Sequence, residues 1–136
     1  MRDLMITLGH NSSAAVAEGS KLIAGFETER LTHVKSDSAF PTAVISRLNN
    51  EHGLRVFDKI FVGHWEPLND VNLMSAKHWD PSKLPPHKEL ITQESLGLTH
   101  HDCHAYAAVN FAQSHFAPGQ YSVLVVDGFG TMSEHV

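Results

Sequence analysis

Three short apolar runs separated by two tight polar turns fill the amino-terminal stretch, and their spacing restricts the fold more than any other feature. Leu4-Met5-Ile6-Thr7-Leu8, Ala14-Ala15-Val16-Ala17 and Leu22-Ile23-Ala24-Gly25-Phe26-Glu27 read as strands. Gly9-His10-Asn11-Ser12-Ser13 and Glu18-Gly19-Ser20-Lys21 read as the turns between them. Connections this short leave room only for an antiparallel meander, because parallel neighbours need a long crossover. The chain beyond this meander is not all-β. Pro41 and Thr42 open a helix to about His52, with Val44, Ile45 and Leu48 on one face and Gly53 as its stop. Val56 to Val62 reads as a further strand, left by Gly63-His64-Trp65. Meander, helix and strand together give an α/β or α+β pattern.

The remaining segments are less regular. Thr28 to Lys35, with its charged Glu29-Arg30 pair, reads as a solvated loop. From Glu66 to about Glu94 no hydrophobic period is sustained, and Pro67, Pro81, Pro85 and Pro86 interrupt it. A stretch of that kind is an excursion over a site or a docking surface, with at most a short helix near Asp70–Ala76. A helix is expected from about Asp102, or one turn earlier, to His115, with Ala105, Ala108, Val109 and Ala112 inward. Pro118-Gly119 ends it, and Val123 to Val126 is expected as a buried strand delivering Asp127 to a glycine turn.

Chemistry concentrates at Thr99-His100-His101-Asp102-Cys103-His104. On a helix His100 and His104 stand at i and i+4, about 5–6 Å apart at Cβ, so their imidazoles can converge on one metal ion. His101 with His104, at i and i+3, is the second choice. Asp127 would add a carboxylate and leave open positions for water or substrate. The same pattern also suits a solvated helix face in a chain with 11 histidines, and Asp before Gly-x-Gly also suits a plain turn. Gly9 to Ser13 offers backbone N–H groups and hydroxyls that suit an anion, and suits an ordinary hairpin turn equally well.

Composition narrows the function classes. A net charge of -5 with no basic run argues against a nucleic-acid binder or a membrane-surface binder, both of which want a basic face. No apolar run approaches the ~20 residues that span a bilayer. The single cysteine, Cys103, forms no internal disulfide and fits a reducing, cytoplasmic setting.

Taken together, the segments resemble the NodU/CmcH-type carbamoyltransferases. The family's opening turn matches Gly9-His10-Asn11-Ser12-Ser13-Ala14-Ala15, and its next motif matches Glu18-Gly19-Ser20-Lys21-Leu22-Ile23-Ala24. Glu27-Thr28-Glu29-Arg30 and Lys35 through Phe40-Pro41 come next, in order. The His-His-x-x-His-Ala motif stands as His100-His101-Asp102-Cys103-His104-Ala105, and Asp-Gly-x-Gly as Asp127-Gly128-Phe129-Gly130.

The resemblance implies the ribonuclease-H-like half of an actin/Hsp70/sugar-kinase-type domain, with antiparallel hairpin strands plus parallel strands with helices. It implies transfer of a carbamoyl group from carbamoyl phosphate, activated with ATP to carbamoyl-adenylate in a YrdC-like domain, to an acceptor hydroxyl. It assigns His100, His104 and Asp127 to a divalent metal, with iron first and zinc or manganese as alternatives. Gly9, Ser12 and Ser13 would hold phosphate or carbamoyl oxygens, with Glu29 and Arg30 facing the acceptor or supporting the site. His10, Lys35 and Asn11 would be the catalytic positions.

Asn11 stands where many relatives carry Asp, and an amide cannot accept a proton at neutral pH. Family enzymes are several times longer, so residues 1–136 correspond to an amino-terminal part without the YrdC-like domain. The expectation is that this chain alone does not complete the reaction. It would need the carboxy-terminal half or a partner subunit, or would self-associate along an unpaired strand edge. Two competing readings are a non-catalytic metal- and anion-binding remnant acting as a structural subunit, and an unrelated metal-dependent hydrolase.

Overall fold

The computed structural model describes residues 1–9, 11–53, 55–64 and 79–126. In chain order it contains β1 (Arg2–Leu8), β2 (Ser13–Glu18), β3 (Lys21–Glu27), α1 (Thr28–Thr32), α2 (Thr42–His52), β4 (Phe57–His64), β5 (His87–Thr92) and α3 (His100–His115). The five strands form one mixed sheet in the order β3-β2-β1-β4-β5. β1 to β3 are the expected antiparallel meander, while β4 runs parallel to β1 and β5 parallel to β4. The class is α/β.

Alternation along β1 explains how the sheet is seated. Leu4, Ile6 and Leu8 are buried, whereas Met5 between them is exposed. β4 repeats the period with Ile60, Val62 and His64 on its buried face. The parallel register sets Leu4 beside Ile60, Ile6 beside Val62 and Leu8 beside His64, so the two strands build the core in matched layers. α2 covers this face with Val44, Ile45 and Leu48, the residues its helical period selects. Burying an aliphatic side chain of this kind contributes about 1.5–3 kcal/mol before entropy is counted. Gly53 ends α2 in the left-handed conformation, φ 64°, where its N–H reaches the Asn49 carbonyl.

Three expectations are corrected. The segment 28–35 is not simply a loop: Thr28–Thr32 form the short helix α1, because Thr28 is buried and its N–H donates to the Ser12 carbonyl at 2.8 Å. The supposedly patternless stretch 66–94 contains β5 and a 3₁₀ turn at Pro81–Lys83. β5 is an edge strand exposed along most of its length, so it carries no core-facing alternation to read. Its register comes from β4 instead, through the backbone ladder and the Lys88–Asp58 and Lys59–Glu89 ion pairs. Residues 123–126 form no strand; Leu124 and Val126 are 87% and 83% exposed, with no neighbouring strand among the described residues to pair with. The short helix expected near Asp70–Ala76 lies outside the described residues.

α3 starts at His100, the earlier of the two expected positions, because Thr99 caps it. Of the residues expected to face inward, Ala105, Val109 and Ala112 are half-buried and Ala108 is exposed; no residue of α3 is fully buried. The helix therefore contributes its first turn to the end of the sheet and little to the core.

Candidate functional site

β1 and β4 run side by side and finish together at Leu8 and His64, which brings their carboxyl ends to one edge of the core. Ligand crevices of α/β sheets form outside such carboxyl ends. Here a cleft of about 330 Å³ is lined by Thr7, Leu8, Gly9, Asn11, Gly63, His64, Gln93, His100, Cys103 and His104. That volume suits a small ligand. Gly9 leaves β1 with φ 152°, a backbone state that only glycine adopts freely, so the chain turns directly off the strand end beside the cleft.

The first turn of α3 supplies the cleft's densest chemistry. A reciprocal cap holds it: Thr99 Oγ1 accepts from the Asp102 N–H at 3.1 Å, and Asp102 Oδ2 accepts from the Thr99 N–H at 2.8 Å. The Thr99 backbone N–H holds the Asp102 carboxyl below the usual carboxylate range, the Thr99 hydroxyl adds to this, and His101 contributes through its charge. Asp102 is thus engaged in starting the helix.

With the helix fixed, His100 and His104 lie one turn apart with Nε2 to Nε2 at 3.0 Å and rings nearly perpendicular at 83°. Nitrogens that close fit one metal ion with bonds of ~2.1 Å. The same distance carries an N–H···N hydrogen bond between the rings. Cys103 also lines the cleft; partial burial, with a contribution from Asp102, pushes its thiol up from the ordinary value, so it stands there as a neutral thiol at neutral pH.

The other strand end is pinned from behind. Gln93 is buried, its Oε1 accepts from the His64 N–H at 3.1 Å, and its own N–H donates to the Val62 carbonyl at 3.0 Å. This clamp ties the segment after β5 to the end of β4. Sequence reasoning singled out neither His64 nor Gln93; the available signal was a histidine on the apolar row of β4.

The structure gathers Gly9, Asn11, His100 and His104 around one cleft. His10 and Asp127 lie outside the described residues. Ser12 is fully buried and turned into the fold: Oγ donates to the Ala39 carbonyl at 2.5 Å and lies 2.5 Å from Thr28 Oγ1. Ser13 opens β2, opposite Thr7 and Glu27. Glu29 accepts from the Ser36 N–H at 2.8 Å, Arg30 pairs with Glu27 at 3.4 Å, and Lys35 is exposed. None of these five lines the cleft. Among the described residues no group of three or more His, Cys, Asp or Glu side chains is arranged to hold a metal ion. No helix among them is long and apolar enough to cross a membrane. Comparison with protein-family models and with curated proteins finds no match to this chain.

Proposed function

We propose that this chain is the amino-terminal portion of an O-carbamoyltransferase, with His100 and His104 as metal ligands and the cleft at the ends of β1 and β4 as the place of carbamoyl transfer. The observation that carries this reading is the Nε2 pair at 3.0 Å, held by the capped first turn of α3 and facing the cleft. The mixed sheet, an antiparallel hairpin unit joined to parallel strands, agrees with a ribonuclease-H-like half of an actin/Hsp70/sugar-kinase-type domain.

In this reading the carbonyl carbon of carbamoyl-adenylate gains a bond to the acceptor oxygen and loses its bond to the phosphate oxygen, releasing AMP. The proton of the acceptor hydroxyl must leave as that bond forms. A bound divalent metal would neutralise phosphate charge and polarise the carbonyl. The chain's own contribution is placement: α3 orients the two imidazoles, Gly9 lets the backbone approach the ligand, and Asn11 offers an amide donor to an oxygen. Among the described residues the cleft is lined at this turn by Asn11, whose amide cannot take the proton.

Asn11 at the cleft, an amide where many members of the resembling family carry Asp, also suits a second reading, a metal- and anion-binding subunit without turnover. Elemental analysis of the purified chain beside His100→Ala and His104→Ala tests the common premise. Near-stoichiometric metal in the wild type and its loss in both variants is expected; metal retained by either variant refutes the assignment. Carbamoyl transfer by the metal-loaded chain with a carboxy-terminal partner would then separate the two readings.

A further inference from the structure

Gln93 comes directly after Thr92, the last residue of β5, and only 9% of its surface is exposed. Burying a primary amide is costly unless its polar atoms find partners. Three polar groups of this residue are committed within the fold. Its backbone N–H donates to the Val62 carbonyl at 3.0 Å, and its carbonyl accepts from the Leu96 and Leu98 N–H groups at 3.2 and 3.1 Å. In the side chain, Oε1 accepts from the His64 N–H at 3.1 Å. Gln93 is thus held by the end of β4 on one side and by the turn that follows it on the other.

Those bonds fix the polarity of the side chain. A backbone N–H can only donate, so the amide atom that meets His64 is the oxygen, and Nε2 with its two N–H donors occupies the other branch. Oε1 stands 3.7 Å from the position that a Cβ on Gly63 would take, so the amide lies over the strand end. Gly63 and Gln93 both line the cleft of about 330 Å³. What Gln93 offers to an occupant of this cleft is therefore a donor, oriented before the ligand arrives. A donor set in advance matches an oxygen acceptor, opposes a ligand N–H, and gives up little freedom on binding.

We infer that Gln93 contacts the ligand and sets specificity in this cleft, with Nε2 donating to an oxygen of a small phosphoryl- or carbamoyl-bearing ligand. This rests on the functional reading above and adds a residue that the motifs carrying that reading do not contain. The contact needs no titration, because a primary amide keeps its N–H donors throughout the ordinary pH range.

The test uses two probes, inorganic phosphate and phosphonoacetamide, the second of which carries both a phosphonate and a primary amide. The Zn²⁺-loaded chain is diamagnetic, so side-chain amide signals can be followed in proton–nitrogen correlation spectra. Gln93→Glu identifies the Gln93 pair by its loss; it keeps an oxygen for the His64 N–H and removes the donors. Gln93→Met removes both. Phosphonoacetamide is expected to move the Gln93 amide signals saturably and to bind both variants about tenfold more weakly, the size of one lost hydrogen bond to a charged group. Gln93→Glu should melt above Gln93→Met, since it retains the clamp on His64. A shift that phosphate reproduces places the contact on a phosphoryl oxygen, and a shift with phosphonoacetamide alone places it on the carbonyl oxygen; either supports the inference. Bound probe that leaves the Gln93 signals unmoved overturns it while leaving the metal assignment standing, as does a zinc-loaded chain that binds neither probe. Full affinity in Gln93→Glu beside lost affinity in Gln93→Met assigns Gln93 to the clamp alone and overturns it too. A saturable Gln93 shift in a chain that takes up no zinc supports the inference and refutes the metal assignment beneath the functional reading.

Discussion

Removing the Ser12 hydroxyl separates two roles that this residue type can play in a polar turn. Ser12 Oγ is fully buried between the Thr28 hydroxyl and the Ala39 carbonyl, each at 2.5 Å. Ser12→Ala takes away one donor and one acceptor at once. Thr28 and Ala39 then keep polar atoms in a region where the bulk of Ala cannot admit much water. A buried group left without its partner costs about 1–3 kcal/mol, and Thr28 can recover part of its loss by turning toward another acceptor. About 2 kcal/mol is therefore expected, or roughly 6–10 °C in melting temperature for a domain of this size. The backbone bonds from the Ser12 N–H to the Asp37 carbonyl and from the Thr28 N–H to the Ser12 carbonyl survive the substitution, so the fold persists. Thermal unfolding by circular dichroism gives the stability, and Thr28→Val with the double variant closes a cycle for the pair. The double variant should be less destabilised than the two single variants combined, because it leaves no orphaned hydroxyl. Metal content and phosphate binding should stay at wild-type level, since Ser12 does not line the cleft. A melting temperature within a degree of wild type, or lost phosphate binding in a variant of unchanged stability, refutes the assignment.

Two further outcomes rest on the same geometry. The depressed Asp102 carboxyl gives α3 a stability contribution that is fully present above the unfolded carboxyl value of ~4 and is lost as pH falls through the lower folded value. Amide exchange along α3 should therefore show wild type ahead of Asp102→Asn at pH 6 and the two converging toward pH 2; a gap that does not narrow counts against the cap. On β3, a Cβ at Gly25 would lie 2.8 Å from Ala15 Cβ on β2 and 3.3 Å from the Ala14 carbonyl oxygen, so Gly25→Ala forces the two strands apart. It should cost about 1–3 kcal/mol in chemical denaturation, and a neutral or stabilising result removes the close-approach argument.

How much was legible depends on whether a residue's environment is set by its neighbours in sequence or by a distant segment. The apolar runs of β1 and β4 and the Val44-Ile45-Leu48 face of α2 are local signals, and the structure has the two strands and the buried helix face where they were read. The helix around the histidines was also legible, and Thr99 with Asp102 fixed its start. β5 was not legible: its residues are mostly exposed, and only pairing with β4 makes them a strand. Residues 123–126 fail for the opposite reason, with strand-forming side chains but no strand beside them among the described residues.

The site divides in the same way. Sequence alone determined that His100 and His104 would share a helix face, because 3.6 residues per turn allow nothing else once the helix forms. It also determined that a glycine turn would come after β1. Tertiary structure decided which face of that turn each residue would present. Pairing of Ser12 with Thr28 and Ala39 drew its hydroxyl into the fold, while Gly9 and Asn11 remained at the cleft. It was likewise the parallel register of β1 and β4, a contact between segments distant in the chain, that set His64 beside Leu8 at the end of the core and opened the cleft there. Local periodicity is written in adjacent residues, but register between distant strands is chosen by the packing of the whole sheet.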